Sequence, residues 1–141
     1  MNRIVLIFGD PDSGKSWLAN ELHDRYGYNV LSVDELYIQF IKEDYPKLYL
    51  ESLNLVVSQH YKQVLKATEK DGEKRWREYV VSFIKENFNH TSLLAVEGYL
   101  LLPVLKYVRS KLSQRGTRVA VVYVHDRKYY SDSDIEGIHI G

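Results

Sequence analysis

Four short apolar runs, at 4 to 8, 29 to 33, 92 to 97 and 118 to 124, are separated by longer stretches whose apolar residues recur at helical spacing. The first run is Ile4-Val5-Leu6-Ile7-Phe8, and the last passes through Val119-Ala120-Val121-Val122-Tyr123-Val124; both are near-continuous and of strand length. In the intervening stretches, Leu53, Val56, Val57, His60, Val64 and Leu65 fall at three- and four-residue steps. Trp76, Tyr79, Val80, Phe83 and Ile84 do the same, followed by Leu101, Val104, Leu105, Val108 and Leu112. Strands alternating with helices predict an α/β fold of three layers (α/β/α), with a parallel sheet of four to five strands covered by helices on both faces. The helix after the first strand is read from 16 to 23. Pro46 and Gly72 divide the long stretch that follows, placing helices at about 34 to 44, 47 to 70 and 73 to 88. Gly116 closes the helix before the fourth strand, and a polar turn at 131 to 134 leaves room for a very short last strand at 138 to 140.

Composition narrows the classes. The 141 residues are most simply one domain, 1 to 141, large enough to bury a core without staples. There is no cysteine, which excludes disulfides and cysteine-based metal sites. Nineteen basic and 19 acidic residues balance, so no long-range field favours nucleic acid or an anionic membrane, and neither is an expected partner. Met1-Asn2-Arg3 runs directly into a strand with no signal-peptide pattern, and no apolar run approaches bilayer length; the expected location is the cytoplasm.

Chemistry enters with Gly9-Asp10-Pro11-Asp12-Ser13-Gly14-Lys15-Ser16, a glycine, four residues and Gly-Lys-Ser, placed between the first strand and a helix. In that setting successive main-chain N–H groups and the helix dipole converge on phosphates. Lys15 would reach the β- and γ-phosphates, and the Ser16 hydroxyl would suit a magnesium ion bridging them. Asp10 and Asp12 put two carboxylates beside a polyphosphate, which predicts weakened affinity unless they face solvent or a cation. Ligands of such sheets bind beyond the carboxyl ends of the strands, which here carry Gly9 onward, Asp34, Glu97-Gly98 and Asp126-Arg127. Asp34 is a candidate acceptor of a hydroxyl proton, or else a helix cap; Glu97 is a candidate metal-side acid, or else a scaffold carboxylate. Arg127 could neutralise transferring charge, or be a surface arginine. His125 reads as structural. Lys74, Arg75 and Arg77, interleaved with Glu73 and Glu78, read as a solvated helix face rather than an anion site. Tyr37, Tyr45 and Tyr49 fit either an aromatic slot or ordinary packing.

These motifs resemble the P-loop kinases of the nucleoside and nucleotide kinase-like group. The loop is similar to their Gly-x-Pro-Gly-Ser-Gly-Lys-Ser/Thr form, with Asp12 in place of a glycine. Ser32-Val33-Asp34-Glu35-Leu36-Tyr37 resembles the strand-Asp-x-x-Tyr element that presents an acid to the acceptor, and Val96-Glu97-Gly98-Tyr99-Leu100-Leu101 the strand-Glu-Gly-apolar element of uridine kinase and phosphoribulokinase relatives. The resemblance implies a P-loop NTPase fold and an enzyme, a small-molecule kinase using ATP or GTP with Mg2+. Lys15, Asp34 and Arg127 would be catalytic, Gly9 to Ser16 would bind phosphate, and Ser16 and Glu97 the metal. The acceptor implied is small, bears a hydroxyl or phosphate, and is nucleoside- or nucleotide-like. Such kinases continue past the fourth strand with an arginine-bearing lid, a fifth strand and adenine contacts, whereas 127 to 141 is short for all three. The alternatives are a minimal kinase, a homo-oligomer in which a second copy completes the site, and a nucleotide-binding or interaction module with little or no kinase activity. A GTPase switch is disfavoured, since no Asp-x-x-Gly follows the third strand and no Asn-Lys-x-Asp the fourth.

Overall fold

The computed structural model describes residues 3–10, 12–51, 55–88, 93–113 and 117–131. Its strands are β1 (Arg3–Gly9), β2 (Asn29–Ser32), β3 (Leu93–Glu97), β4 (Arg118–His125) and β5 (Lys128–Ser131). The helices are α1 (Lys15–Tyr26), α2 (Val33–Asp44), α3 (Pro46–Glu51), α4 (Val57–Thr68), α5 (Asp71–Phe88) and α6 (Leu105–Leu112), with a 3-10 helix at Tyr99–Val104 leading into α6. The architecture is α/β, as the alternating pattern predicts.

The sheet is mixed rather than wholly parallel. Its order is β2-β3-β1-β4-β5; the first four strands are parallel, and β5 runs antiparallel to β4 with His125 opposite Lys128. A two-residue connection, Asp126-Arg127, is too short for a crossover, so the chain turns back as a hairpin. Ser131 therefore ends a strand rather than opening a turn, while 132 to 134 and the expected strand at 138 to 140 lie outside the described residues.

Helix boundaries depart from expectation in two places. The stretch at 47 to 70 is two helices: α3 begins at Pro46, where a missing N–H costs nothing, and Val56 is extended just ahead of α4. Gly72 does not divide helices. It lies in the first turn of α5, where a β-carbon would sit 2.6 Å from the Thr68 hydroxyl and 2.9 Å from Val64, so the close crossing of α4 and α5 demands it. The break falls instead at Glu69 and Lys70, both left-handed (φ 51° and 78°). Gly116 and Ser92 lie outside the described residues.

Strand alternation sends the core to both faces. On one face, among the described residues, α1 is the helix that places Leu18, Ala19 and Leu22 over Val5, Ile7, Ala95, Ala120, Val122 and Val124. On the other, α2, α4, α5, the 3-10 helix and α6 cover Leu6, Leu94 and Val96, with Trp76 at the centre. α1 stops cleanly because Gly27 turns left-handed (φ 74°), its N–H reaching the His23 carbonyl while that of Tyr28 reaches Leu22. No helix among the described residues is long and apolar enough to cross a membrane.

Candidate functional site

β1 carries the chain to the carboxyl edge of the sheet, next to the point where strand order reverses. Gly9 ends it, opposite Val124, and a β-carbon at Gly9 would collide with the Val124 carbonyl oxygen, so only glycine leaves the strand here. The chain then folds on itself. The Ser13 N–H donates to the Asp10 carbonyl at 3.2 Å, Asp12 is left-handed at φ 61°, and Gly14 at φ 107° leads into α1. No side chain caps α1, and among the described residues the N–H groups of Ser16 and Trp17 have no main-chain acceptor. Lys15 is only 8% exposed, and its ammonium donates to the Asp10 carbonyl at 2.6 Å. One of its three donors is used there. Ser13 Oγ is buried without a partner beneath the same turn. Pro11 lies outside the described residues.

The β4–β5 hairpin completes this end of the molecule. Asp126 and Arg127 are both left-handed (φ 48° and 62°), a conformation that twists with the strands but strains side chains larger than glycine. The strained turn is tied down: the Arg127 N–H donates to the Ser13 carbonyl at 2.9 Å. Arg127 thereby joins Gly14, Lys15 and Ser16 at one cavity of about 690 Å³, whose wall also includes Asp12, Trp17 and Tyr129. Sequence reasoning balanced Arg127 against a surface role; the hairpin brings it to the loop. It overlooked Trp17 and Tyr129. A tryptophan immediately after Gly-Lys-Ser was a usable signal, whereas Tyr129 depends on a hairpin that the pattern of residues did not announce. Asp10 and Asp12 are exposed, and Asp10 lies 3.9 Å from His125 Nδ1, close enough to pair when that imidazole is protonated.

The acids form a second group behind Lys15. Glu97 follows Ala95 by two residues and so shares the α1 face of β3, flanked by Ile7 and Ser32. It is 9% exposed; burial and then the neighbouring Asp34 charge push its carboxyl above the ordinary value, opposed by Lys15 and by a hydrogen bond with the Ser32 hydroxyl. Asp34 does not cap its own helix, since Ser32 accepts the Glu35 N–H at 3.4 Å. Instead the two Asp34 oxygens accept the N–H groups of Tyr99 (3.2 Å) and Leu100 (3.0 Å), capping the 3-10 helix from across the site. Gly98 makes room for this; a β-carbon there would stand 3.0 Å from Asp34 Oδ1.

A raised carboxyl value means that folding resists ionisation of Glu97, so the ionised group costs stability once pH exceeds its folded value, and nothing below its ordinary one. Glu97→Gln is therefore expected to melt higher than the parent at pH 8 in chelator-containing buffer, with the gain shrinking to nothing near pH 4. Calorimetric melting across that range checks this; a variant less stable at pH 8 would show that Lys15 and Ser32 outweigh burial.

Other candidates lie away from the loop cavity. Arg75 pairs with Asp44 at 3.1 Å and lies over Tyr45, and Arg77 lies 4.6 Å over the Tyr107 ring. Tyr37 is buried with its hydroxyl 2.9 Å from His60 Nδ1, and burial raises the tyrosine while lowering the histidine. Tyr49 and Tyr37 border a smaller cavity of about 140 Å³ beside His60. Among the described residues no three acidic or histidine side chains cluster closely enough to hold a metal ion by themselves. Compared with models of known protein families the chain matches none, and compared with curated proteins it again matches none.

Proposed function

We propose that the protein has a P-loop NTPase fold and is an ATP- or GTP-dependent kinase of a small hydroxyl- or phosphate-bearing acceptor, nucleoside- or nucleotide-like. The supporting observation is the folded loop between β1 and α1, opening on a cavity where Lys15, Ser16 and Arg127 converge. In this reading Lys15 and the loop amides hold the β- and γ-phosphates, and Arg127 offsets charge on the group in transfer. Ser16 and Glu97 supply the hard oxygen donors that magnesium prefers, and the few protein ligands suit an ion that keeps most of its water and binds phosphate. Bound there, magnesium would neutralise phosphate charge. The acceptor oxygen forms a bond to the γ-phosphorus as the bond from that phosphorus to the β-bridging oxygen breaks, and the hydroxyl proton passes to Asp34. Two of the four acceptor positions on that carboxylate hold main-chain N–H groups, leaving two for the substrate.

Binding without efficient transfer is the second reading, favoured by the exposed acids Asp10 and Asp12 at the loop and by the capping duty of Asp34. Calorimetry with ATP and magnesium tests the common premise, and binding is expected; none would remove both readings. Turnover against nucleosides, nucleotides and sugars then separates them, since robust phosphorylation of any acceptor eliminates the binding-only reading.

A further inference from the structure

Trp17 is 56% exposed in the first turn of α1, although a buried face for that helix is available at Leu18, Ala19 and Leu22. Its ring lies parallel to that of Tyr129, with planes 3° apart and centroids 6.0 Å apart. Tyr129 sits opposite Val124 at the first pairs of the hairpin and packs against the α1 side of the sheet. The turn that places it there is the one bonded to Ser13. Both rings line the cavity that Lys15, Ser16 and Arg127 also line. One hollow therefore offers cations, main-chain donors and flat aromatic surface together.

A ligand matching both kinds of group carries an anion and a planar ring, and we infer that Trp17 and Tyr129 are the nucleobase platform of the site, holding a purine by stacking without reading its edge. This rests on the phosphate-loop reading of the same cavity. Stacking needs only a π face and so tolerates any base, with larger rings favoured. Discrimination between adenine and guanine needs hydrogen-bond donors and acceptors aimed at the base edge. The acid on the next turn of α1, Glu21, has its carboxylate held by Arg25 at 2.8 Å. Among the described residues the cavity wall otherwise consists of Asp12, Gly14, Lys15, Ser16 and Arg127, none of which the rings place at the edge of a stacked base. ATP and GTP are thus equivalent partners, and pyrimidine nucleotides weaker ones.

Calorimetric titration of the full chain, in magnesium, with ATP, GTP, UTP and inorganic tripolyphosphate tests this, using the parent, Trp17→Ala, Trp17→Phe and Tyr129→Ala. Trp17→Ala is expected to weaken ATP and GTP by about 5- to 150-fold, the range that base–aromatic stacking spans, while leaving tripolyphosphate within about twofold. Trp17→Phe should recover most of the loss. The parent should bind ATP and GTP within about threefold of one another, as edge-blind stacking requires. Trp76 is fully buried, so quenching of tryptophan emission by ATP but not by tripolyphosphate reports on Trp17. An unchanged ATP affinity in Trp17→Ala, an equal loss for tripolyphosphate, or strong preference for one purine would overturn the platform and leave the phosphate site standing. A parent that binds neither ATP nor tripolyphosphate would remove the phosphate site and the platform together. Tyr129→Ala guards against misfolding of one variant, since it must produce the same selective loss by removing the other ring.

Discussion

Lys15→Ala is expected to lower phosphoryl transfer by roughly 10²- to 10³-fold, the scale set by removing one preorganised donor to transition-state charge. It should also weaken ATP binding. The lysine is held in place before any ligand arrives: its stem is buried at the start of α1 and its ammonium rests on the Asp10 carbonyl. Binding therefore does not have to order a flexible four-carbon chain, which would otherwise cost rotamer entropy. Asp34→Asn makes the informative companion. It keeps a carbonyl for one of the two N–H groups of the 3-10 helix, loses the acceptor for the other, and cannot take a proton, so transfer should fail while ATP affinity persists. Steady-state turnover and calorimetry on both variants provide the check; unaltered ATP affinity in Lys15→Ala would place the phosphates somewhere other than this loop.

Trp76→Ala should destabilise the fold by about 3–5 kcal/mol, the cost of emptying a large buried aromatic site, against a total stability of roughly 5–15 kcal/mol for a domain of this kind. Trp76 is fully buried on α5, edge-on to Tyr37 (centroids 5.3 Å, 89°) and in contact with Phe40 and Tyr79. Its indole N–H donates to the Leu100 carbonyl at 3.4 Å. The side chain thus joins α2, α5 and the 3-10 helix, and the N-terminus of that last element is what Asp34 holds. The cavity left behind would loosen the frame around Glu97 and Asp34 as well as lower the urea midpoint. Equilibrium unfolding in urea measures it, and a loss below about 1 kcal/mol would mean that the neighbouring rings collapse into the space.

Much of this was legible in the residues themselves, for reasons that differ from element to element. β1 is a continuous apolar run because it is buried on both faces, β4 because it is buried on one and half-buried on the other, and that pattern survives without any partner being known. The fold of the loop between β1 and α1 was legible because its glycines meet local demands: Gly9 under the Val124 carbonyl and Gly14 at positive φ. Gly72 misled, since its need arises from the close packing of α5 against Thr68 and Val64 of α4, whereas a glycine read by itself signals a chain break. The hairpin was hidden for a related reason. Asp126-Arg127 carries no glycine, so the usual signature of a two-residue turn is missing, and the strain is offset by a bond to Ser13, distant in the chain. Without the hairpin, Arg127 was placed near the site only by the strand end before it, Tyr129 could not be assigned to the cavity, and Asp34 could not be seen as the cap of an element 65 residues onward.

Among the described residues one face of the sheet is covered by one helix, and the first residue of that helix is Lys15. On the proposed reading, a ligand that grips the lysine would also favour the docked position of Leu18, Ala19 and Leu22 on the strands. A nucleotide present at 100 times its dissociation constant would add about 2.7 kcal/mol to the folded state. In a cell the abundance of such a chain would follow the supply of its own ligand.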